Sequence, residues 1–361
     1  MKPRAGIPEI RTGQGAEPLT EEEFRRRARH RFVGKPYEQA AAAVNEVIGA
    51  AYENYKESNK APYTRPAGPG FADPTYELSV EWSATREAVL KAEEEYRRPD
   101  SPRRVLLICA AARNDKTCPG EMSKTFRLVK IAEETLRHEQ VNVDLLDLSA
   151  LTSEYGRVIY PCKACVSTAM PLCHWPCSCY PNHALGQTND WMNEIYPRWV
   201  AAHGIMIVTP VYWYQAPAGL KAMMDRLVCA DGGNPDPTST KGKDPKLAKE
   251  LELNGWGYPR HLAGRAFSIV VHGDAAGADT LRQSLRDWLV DMKLVPAEGE
   301  GVISRYVGYY EPYATSHEAL DVDLAVQEEL RNAARGLAAK ALELQQSPKL
   351  AWQVWKEPRP K

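Results

Sequence analysis

No run of apolar residues in this chain is long enough to cross a bilayer, and Met1-Lys-Pro-Arg-Ala5 leads into no apolar leader segment. A membrane protein is therefore not expected, and a cytoplasmic location is. An excess of one charge is also missing: 46 Lys and Arg stand against 47 Asp and Glu, a formal net charge of −1. That balance gives no global pull toward nucleic acid or an anionic membrane, so neither is an expected partner. The one basic run, Arg25 to Arg31, follows Glu21, Glu22 and Glu23 and reads as a solvated helix face. There is no Gly-x-x-x-x-Gly-Lys loop and no Gly-x-Gly-x-x-Gly fingerprint, so nucleotide hydrolysis and a dinucleotide Rossmann site lack support. No internal repeat is present.

What is present suits a substantial core: 361 residues, 43% of them hydrophobic. Val105-Leu-Leu-Ile-Cys-Ala110 is a continuous apolar strand of the kind buried on both faces. Further strands are expected at 141–146, 204–208 and 266–271, with a short one at 301–303. Helices are expected at 123–138, 189–202, 216–228 and 278–292. Strands alternating with helices predict an α/β fold, a doubly wound five-stranded parallel sheet in the flavodoxin order. Residues 1–102 read as a helical N-terminal extension, with helices at 36–56 and 82–96 and a Pro-rich irregular connector at 62–74. Thr20 and Glu23 form a capping-box pattern before a short helix. The expected main domain is 103–320, interrupted by a Gly- and Pro-rich insertion at 231–262 with a short helix at 245–253. Residues 321–361 add a docking helix and tail.

Three segments at successive strand ends carry the candidate chemistry, because ligands of open α/β sheets sit beyond the carboxyl ends of the strands. In Ala111-Ala-Arg-Asn-Asp-Lys-Thr-Cys-Pro-Gly-Glu-Met-Ser-Lys-Thr125, a helix start favours an anion. Ser123 and Thr125 add hydroxyls, and Arg113 and Lys124 add positive charge. A phosphate monoester suits that set, and an ordinary Ser N-cap is the plain alternative. In Thr209-Pro-Val-Tyr-Trp-Tyr-Gln-Ala-Pro-Ala-Gly-Leu-Lys221, Pro210, Val211, Tyr212, Trp213 and Tyr214 offer backbone amides and flat faces to a planar heterocycle. Aromatics plugging the sheet end are the alternative. In His272-Gly-Asp-Ala-Ala-Gly277, the small residues let the backbone of His272, Gly273 and Asp274 approach a ring closely.

These residues resemble the NAD(P)H-dependent FMN reductase family, over about 103–310 and most strongly at 209–226. Arg113, Ser123 and Thr125 match that family's Gly-Ser-x-Arg and Ser-x-Thr loop residue by residue, while Ala111-Ala112 stands where Gly-Ser is usual. The resemblance implies a flavodoxin-like fold and noncovalent FMN, with NAD(P)H as co-substrate. Nicotinamide would stack on the flavin and pass hydride to N5. Electrons would then leave to a quinone, a free flavin or another small-molecule acceptor. No acid–base residue is required, and none is assigned. A homodimer or homotetramer is expected.

Five of the eight cysteines fall between Cys162 and Cys179, which scattered core thiols would not do. Cys162, Cys165, Cys173 and either Cys177 or Cys179 offer four thiolates. The segment has some likeness to iron–sulfur flavoproteins, which hold a four-iron cluster in this region. Zinc, with the same thiolates or with His174, and a metal-free reduced loop remain alternatives. Two other functions stay open beside the reductase: an electron carrier pairing flavin with a cluster, and a non-catalytic zinc-stabilised module.

Overall fold

The computed structural model describes residues 18–117, 123–273, 276–297, 301–303, 307–308, 310–312 and 315–347. The N-terminal part begins with α1 (Glu21–Arg29), where the Thr20 hydroxyl accepts from the Glu23 amide at 3.2 Å. The helix expected at 36–56 is two helices, α2 (Lys35–Gln39) and α3 (Ala41–Lys56). It breaks at Ala40, whose φ of −99° and ψ of 17° are not helical. The Pro-rich connector conceals a small antiparallel ribbon, β1 (Thr64–Pro66) with β2 (Glu77–Ser79). Ser79 then caps α4 (Val80–Arg97), its hydroxyl accepting from the Trp82 amide.

The main sheet is built from β3 (Arg104–Cys109), β4 (Asn142–Asp147), β5 (Gly204–Pro210) and β6 (Ala266–His272), all parallel. Its edge is completed in two pieces. β7 (Val295–Pro296) pairs with the start of β6, and β8 (Gly301–Ile303) pairs with its end. The expectation of one short fifth strand is thus met by two fragments at a single strand position. The spatial order β4-β3-β5-β6 and then β7 and β8 is 2-1-3-4-5 by position, the flavodoxin-like order.

The connecting elements are α5 (Lys124–His138), α6 (Ala150–Ser153), α7 (Met192–Ala201), α8 (Ala218–Arg226), α9 (Pro245–Leu253), α10 (Ala278–Asp291), α11 (Ser316–Val322) and α12 (Leu324–Gln346). They cover both faces of the sheet, so the strands read as unbroken apolar runs. On one face α5 and α12 bury Leu128, Leu136, Leu330 and Leu337 against Leu107 and Val208. On the other, α7, α8 and α10 bury Trp199, Met223 and Leu285 against Ile108 and Ile207. Each such Leu contributes about 1.5–3 kcal/mol of transfer free energy. α4 joins this second core through Val89 and Ala92, and Trp82 Nε1 donates to the Pro176 carbonyl at 2.9 Å. The last helix of the N-terminal extension is therefore docked on the α/β core.

One helix starts later than expected. α7 begins at Met192 rather than Asn189, because Asn189 has a left-handed φ of 54° and Asp190 is drawn into a bridge with Val158.

Candidate functional site

The loops after β3, β5 and β6 open at the same sheet edge, since all three strands are parallel and in register. In the first loop, Asn114 Nδ2 donates to the hydroxyls of Ser149 and Ser153, both at 2.8 Å, tying the loop to the end of β4. Residues 118–122 lie outside the described residues. Ser123 is the N-cap of α5, its hydroxyl accepting from the Phe126 amide at 3.0 Å. The plain capping role expected of Ser123 is therefore present, at the start of a 15-residue helix whose first-turn amides have no partner within the helix. Lys124 and Thr125 occupy that first turn, and Arg113 is partly buried in the same loop.

Thr125 Oγ1 and His272 Nε2 are 2.8 Å apart, a hydrogen bond that joins the first loop to the third. Burial, together with the nearby charge of Lys124, pushes the His272 pKa down to about 4. His272 is therefore a neutral imidazole at pH 7.

The second loop is held to the third by the Val211 amide, which donates to the His272 carbonyl at 3.1 Å. Tyr212 and Gln215 then exchange two backbone hydrogen bonds of 2.9 Å, closing a tight turn with Trp213 and Tyr214 at its centre. Both central residues are left-handed, φ 48° and 67°. That is the type I′ arrangement, which suits Asn and Gly rather than large side chains. Each bulky residue so placed costs roughly 1–2 kcal/mol. What the turn achieves is presentation: Trp213 is 94% exposed and Tyr214 61%. The turn thus presents flat aromatic faces at the carboxyl end of β5, where a planar ring could stack.

The third loop fits against this turn through glycine. A Cβ on Gly277, whose φ is 92°, would stand 2.7 Å from Tyr214 Cα. A Cβ on Gly273, φ 131°, would press on Val211 at 3.3 Å. Asp274 lies outside the described residues. Arg113, Ser123, Lys124 and Thr125 thus share one edge with Pro210 to Tyr214, His272 and Gly273. This arrangement fits a phosphorylated planar ring such as FMN: amides and hydroxyls for the phosphate, aromatic faces and close-packed backbone for the ring.

Sequence reasoning overlooked the β4 side. A cavity of about 450 Å³ adjoins Ser123 and is lined by Asn114, Lys116, Asp147, Arg157 and Trp191. Arg157 stacks over Trp191, 5.0 Å from its ring centroid. The available signal was Asp147-Leu-Ser149, a polar cluster at the carboxyl end of a strand.

Among the described residues no three His, Cys, Asp or Glu side chains are arranged to hold a metal ion together. Cys162, Cys165, Cys173 and Cys177 do not converge as ligands. Cys165 instead meets Cys179, with 3.4 Å between the sulfurs. Burial raises the pKa of Cys173, and a hydrogen bond with Cys179 followed by burial raises that of Cys177, so both are held as thiols. His174 is buried between the hydroxyls of Ser178, at 2.6 Å, and Thr240, at 3.1 Å, which occupies both ring nitrogens.

The family described as NADPH-dependent FMN reductase matches residues 103–307. No curated protein matches the chain. Among solved structures, RosB with a bound 8-demethyl-8-formylriboflavin-5'-phosphate intermediate is similar at 12% identity, over 69% of this chain and 82% of that one, TM-score 0.49. The apo NADH:FMN oxidoreductase EMOB is similar at 17% identity, over 72% and 97%, TM-score 0.39. An oxidoreductase from Corynebacterium diphtheriae is similar at 15% identity, over 67% and 98%, TM-score 0.39. Among the described residues no helix is long and apolar enough to cross a membrane.

Proposed function

The chain belongs to the NADPH-dependent FMN reductase family, a family of flavin-dependent oxidoreductases, and from that premise we propose that it binds FMN across the three loops and reduces a small-molecule acceptor with electrons from NADPH. The phosphate is assigned to Arg113, Ser123, Lys124 and Thr125. The ring is assigned to Pro210, Val211, the Tyr212–Tyr214 turn, His272 and Gly273, with Asp274 completing the third loop. The observation that carries the reading is the Thr125–His272 hydrogen bond, which joins the phosphate helix to the ring loop.

FMN bound here supplies the hydride-accepting chemistry. The chain's own part is orientation and electrostatics. The neutral His272 fixes the side chain of Thr125 without adding a competing cation near the ring. The Trp213 turn offers an exposed aromatic wall on which a second planar ring can stack. A quinone or a free flavin could stack there as the acceptor.

The test is anaerobic stopped-flow mixing of FMN-loaded protein with NADPH. The flavin band should bleach, more slowly with nicotinamide deuterated at the transferred position. Bleaching only by a reduced protein partner would overturn the reading.

A further inference from the structure

Three segments remain without a role at the flavin edge: the N-terminal extension, the cysteine-rich stretch at 162–179 and the insertion at 231–262. They meet at one place. Lys243 of the insertion donates through Nζ to the Leu172 carbonyl at 2.7 Å and to Cys165 Sγ at 3.6 Å. Lys60 of the N-terminal extension donates to the Ser178 carbonyl. His174 bridges Ser178 to Thr240, pinning the cysteine stretch to the insertion. Between the two lysines lies the 3.4 Å contact of Cys165 with Cys179.

The geometry of this cluster points one way. The partly buried Lys243 ammonium stands 3.6 Å from Cys165 Sγ, where it can stabilise a thiolate, and Cys179 Sγ lies 3.4 Å from the same sulfur. Cys165 is also partly solvent-accessible, whereas Cys179 is buried behind it. The sulfurs need to close by little more than an ångström to reach the roughly 2.0 Å of a disulfide.

We propose that Cys165 and Cys179 are a redox-active dithiol oxidised by hydrogen peroxide, with Lys243 as the positioning residue. The Cys165 thiolate attacks one peroxide oxygen, the O–O bond breaks, and hydroxide leaves with sulfenic acid on Cys165. Cys179 sulfur then attacks the sulfenic sulfur, its proton goes to the departing oxygen, and water leaves. Two thiols are oxidised to one disulfide, and one peroxide is reduced to two waters. A dithiol reductant restores the pair by exchange. The proposal does not depend on flavin chemistry.

The experiment is anaerobic addition of one equivalent of peroxide to the full-length protein, followed by alkylation and peptide mass mapping, with iron and zinc analysis on the same sample. Two thiols should disappear together as a peptide pair cross-linked through Cys165 and Cys179, and dithiothreitol should return both. In Cys179→Ser the reaction should stop at a sulfenic acid on Cys165, trapped by dimedone. Lys243→Met should slow Cys165 alkylation at pH 7 by about two- to fivefold, because the thiolate loses its neighbouring cation while the more basic sulfur gains some nucleophilicity, and Lys243→Arg should recover most of it. A bridge between Cys177 and Cys179, an oxidation rate at Cys165 no faster than at Cys162, or stoichiometric metal on these sulfurs would each overturn the proposal.

Discussion

Arg226 and Asp190 face each other with neither side chain exposed, Nη2 standing 2.5 Å from Oδ2. The guanidinium also donates to the Tyr160 carbonyl at 2.9 Å and lies 4.6 Å from the Tyr180 ring centroid. Arg226 closes the most flavin-like segment of the sequence, yet it points away from the ligand edge. Its work is to lock α8 to the stretch preceding α7. Breaking a buried pair strands one charge without a partner, at a cost of about 3–5 kcal/mol. Asp190→Ala should lose that much in urea unfolding monitored by Trp fluorescence. Replacing both residues with apolar ones of similar volume should recover a large part of it.

The phosphate assignment makes a ligand-specific prediction. Ser123→Ala with Thr125→Ala removes two hydroxyls from a helix start that favours anions. Hydrogen bonds to a charged group contribute about 1.5–3 kcal/mol each, so losing both should raise the FMN Kd by about a hundredfold to about ten-thousandfold. Riboflavin, which carries no phosphate, should be affected little beyond the loss of the cap. Calorimetric titration with both ligands checks it, and equal losses would remove the phosphate from this loop.

Several buried or half-buried histidines make stability depend on acidity. Burial lowers the pKa of His203, His261 and His272 to about 4, and that of His174 well below its ordinary value. The unfolded chain binds these protons near pH 6.5. Stability from each is thus complete above pH 6.5 and falls as pH drops through the window from 6.5 to 4, where only the unfolded state is protonated. The slope is about 1.4 kcal/mol per pH unit per proton. His203 is the cleanest probe: its Nδ1 accepts from the Arg104 amide at 3.2 Å, which requires the neutral ring. In His203→Gln, urea unfolding between pH 7 and pH 5 should lose about one proton's worth of that slope.

The strands were legible because both faces of the sheet are covered, leaving runs such as Ile205-Met-Ile-Val208 with no polar interruption. The helix at 245–253 was legible to the residue, since Asp244 and Pro245 announce its start. The β1–β2 ribbon was not, because Thr64-Arg65-Pro66 is exposed and its strand character comes only from pairing eleven residues or more away. The three strand-end loops of the candidate site could be placed by strand ends alone. That Thr125 would bond His272, or that Cys165 would find Cys179 rather than Cys162, depends on contacts that spacing does not encode. The role of Lys243 lay furthest from view: no local pattern links an insertion lysine to a thiol 78 positions earlier.

Tyr214 tests whether the strained turn is kept for binding. Its φ of 67° suits glycine, and its ring is largely exposed, so Tyr214→Gly removes backbone strain while sacrificing little buried surface. Relief of a left-handed conformation offsets the added freedom of the unfolded chain, and a gain of up to about 1 kcal/mol is expected. The same change deletes one aromatic wall of the ring site. The variant should therefore unfold at equal or higher urea concentration than the wild type while binding FMN more weakly, and Gly277 should tolerate it because only Tyr214's backbone and ring base crowd that glycine. Loss of stability with unchanged FMN affinity would make the turn a structural plug of the sheet end. Both quantities come from one preparation, by urea titration and by quenching of flavin fluorescence.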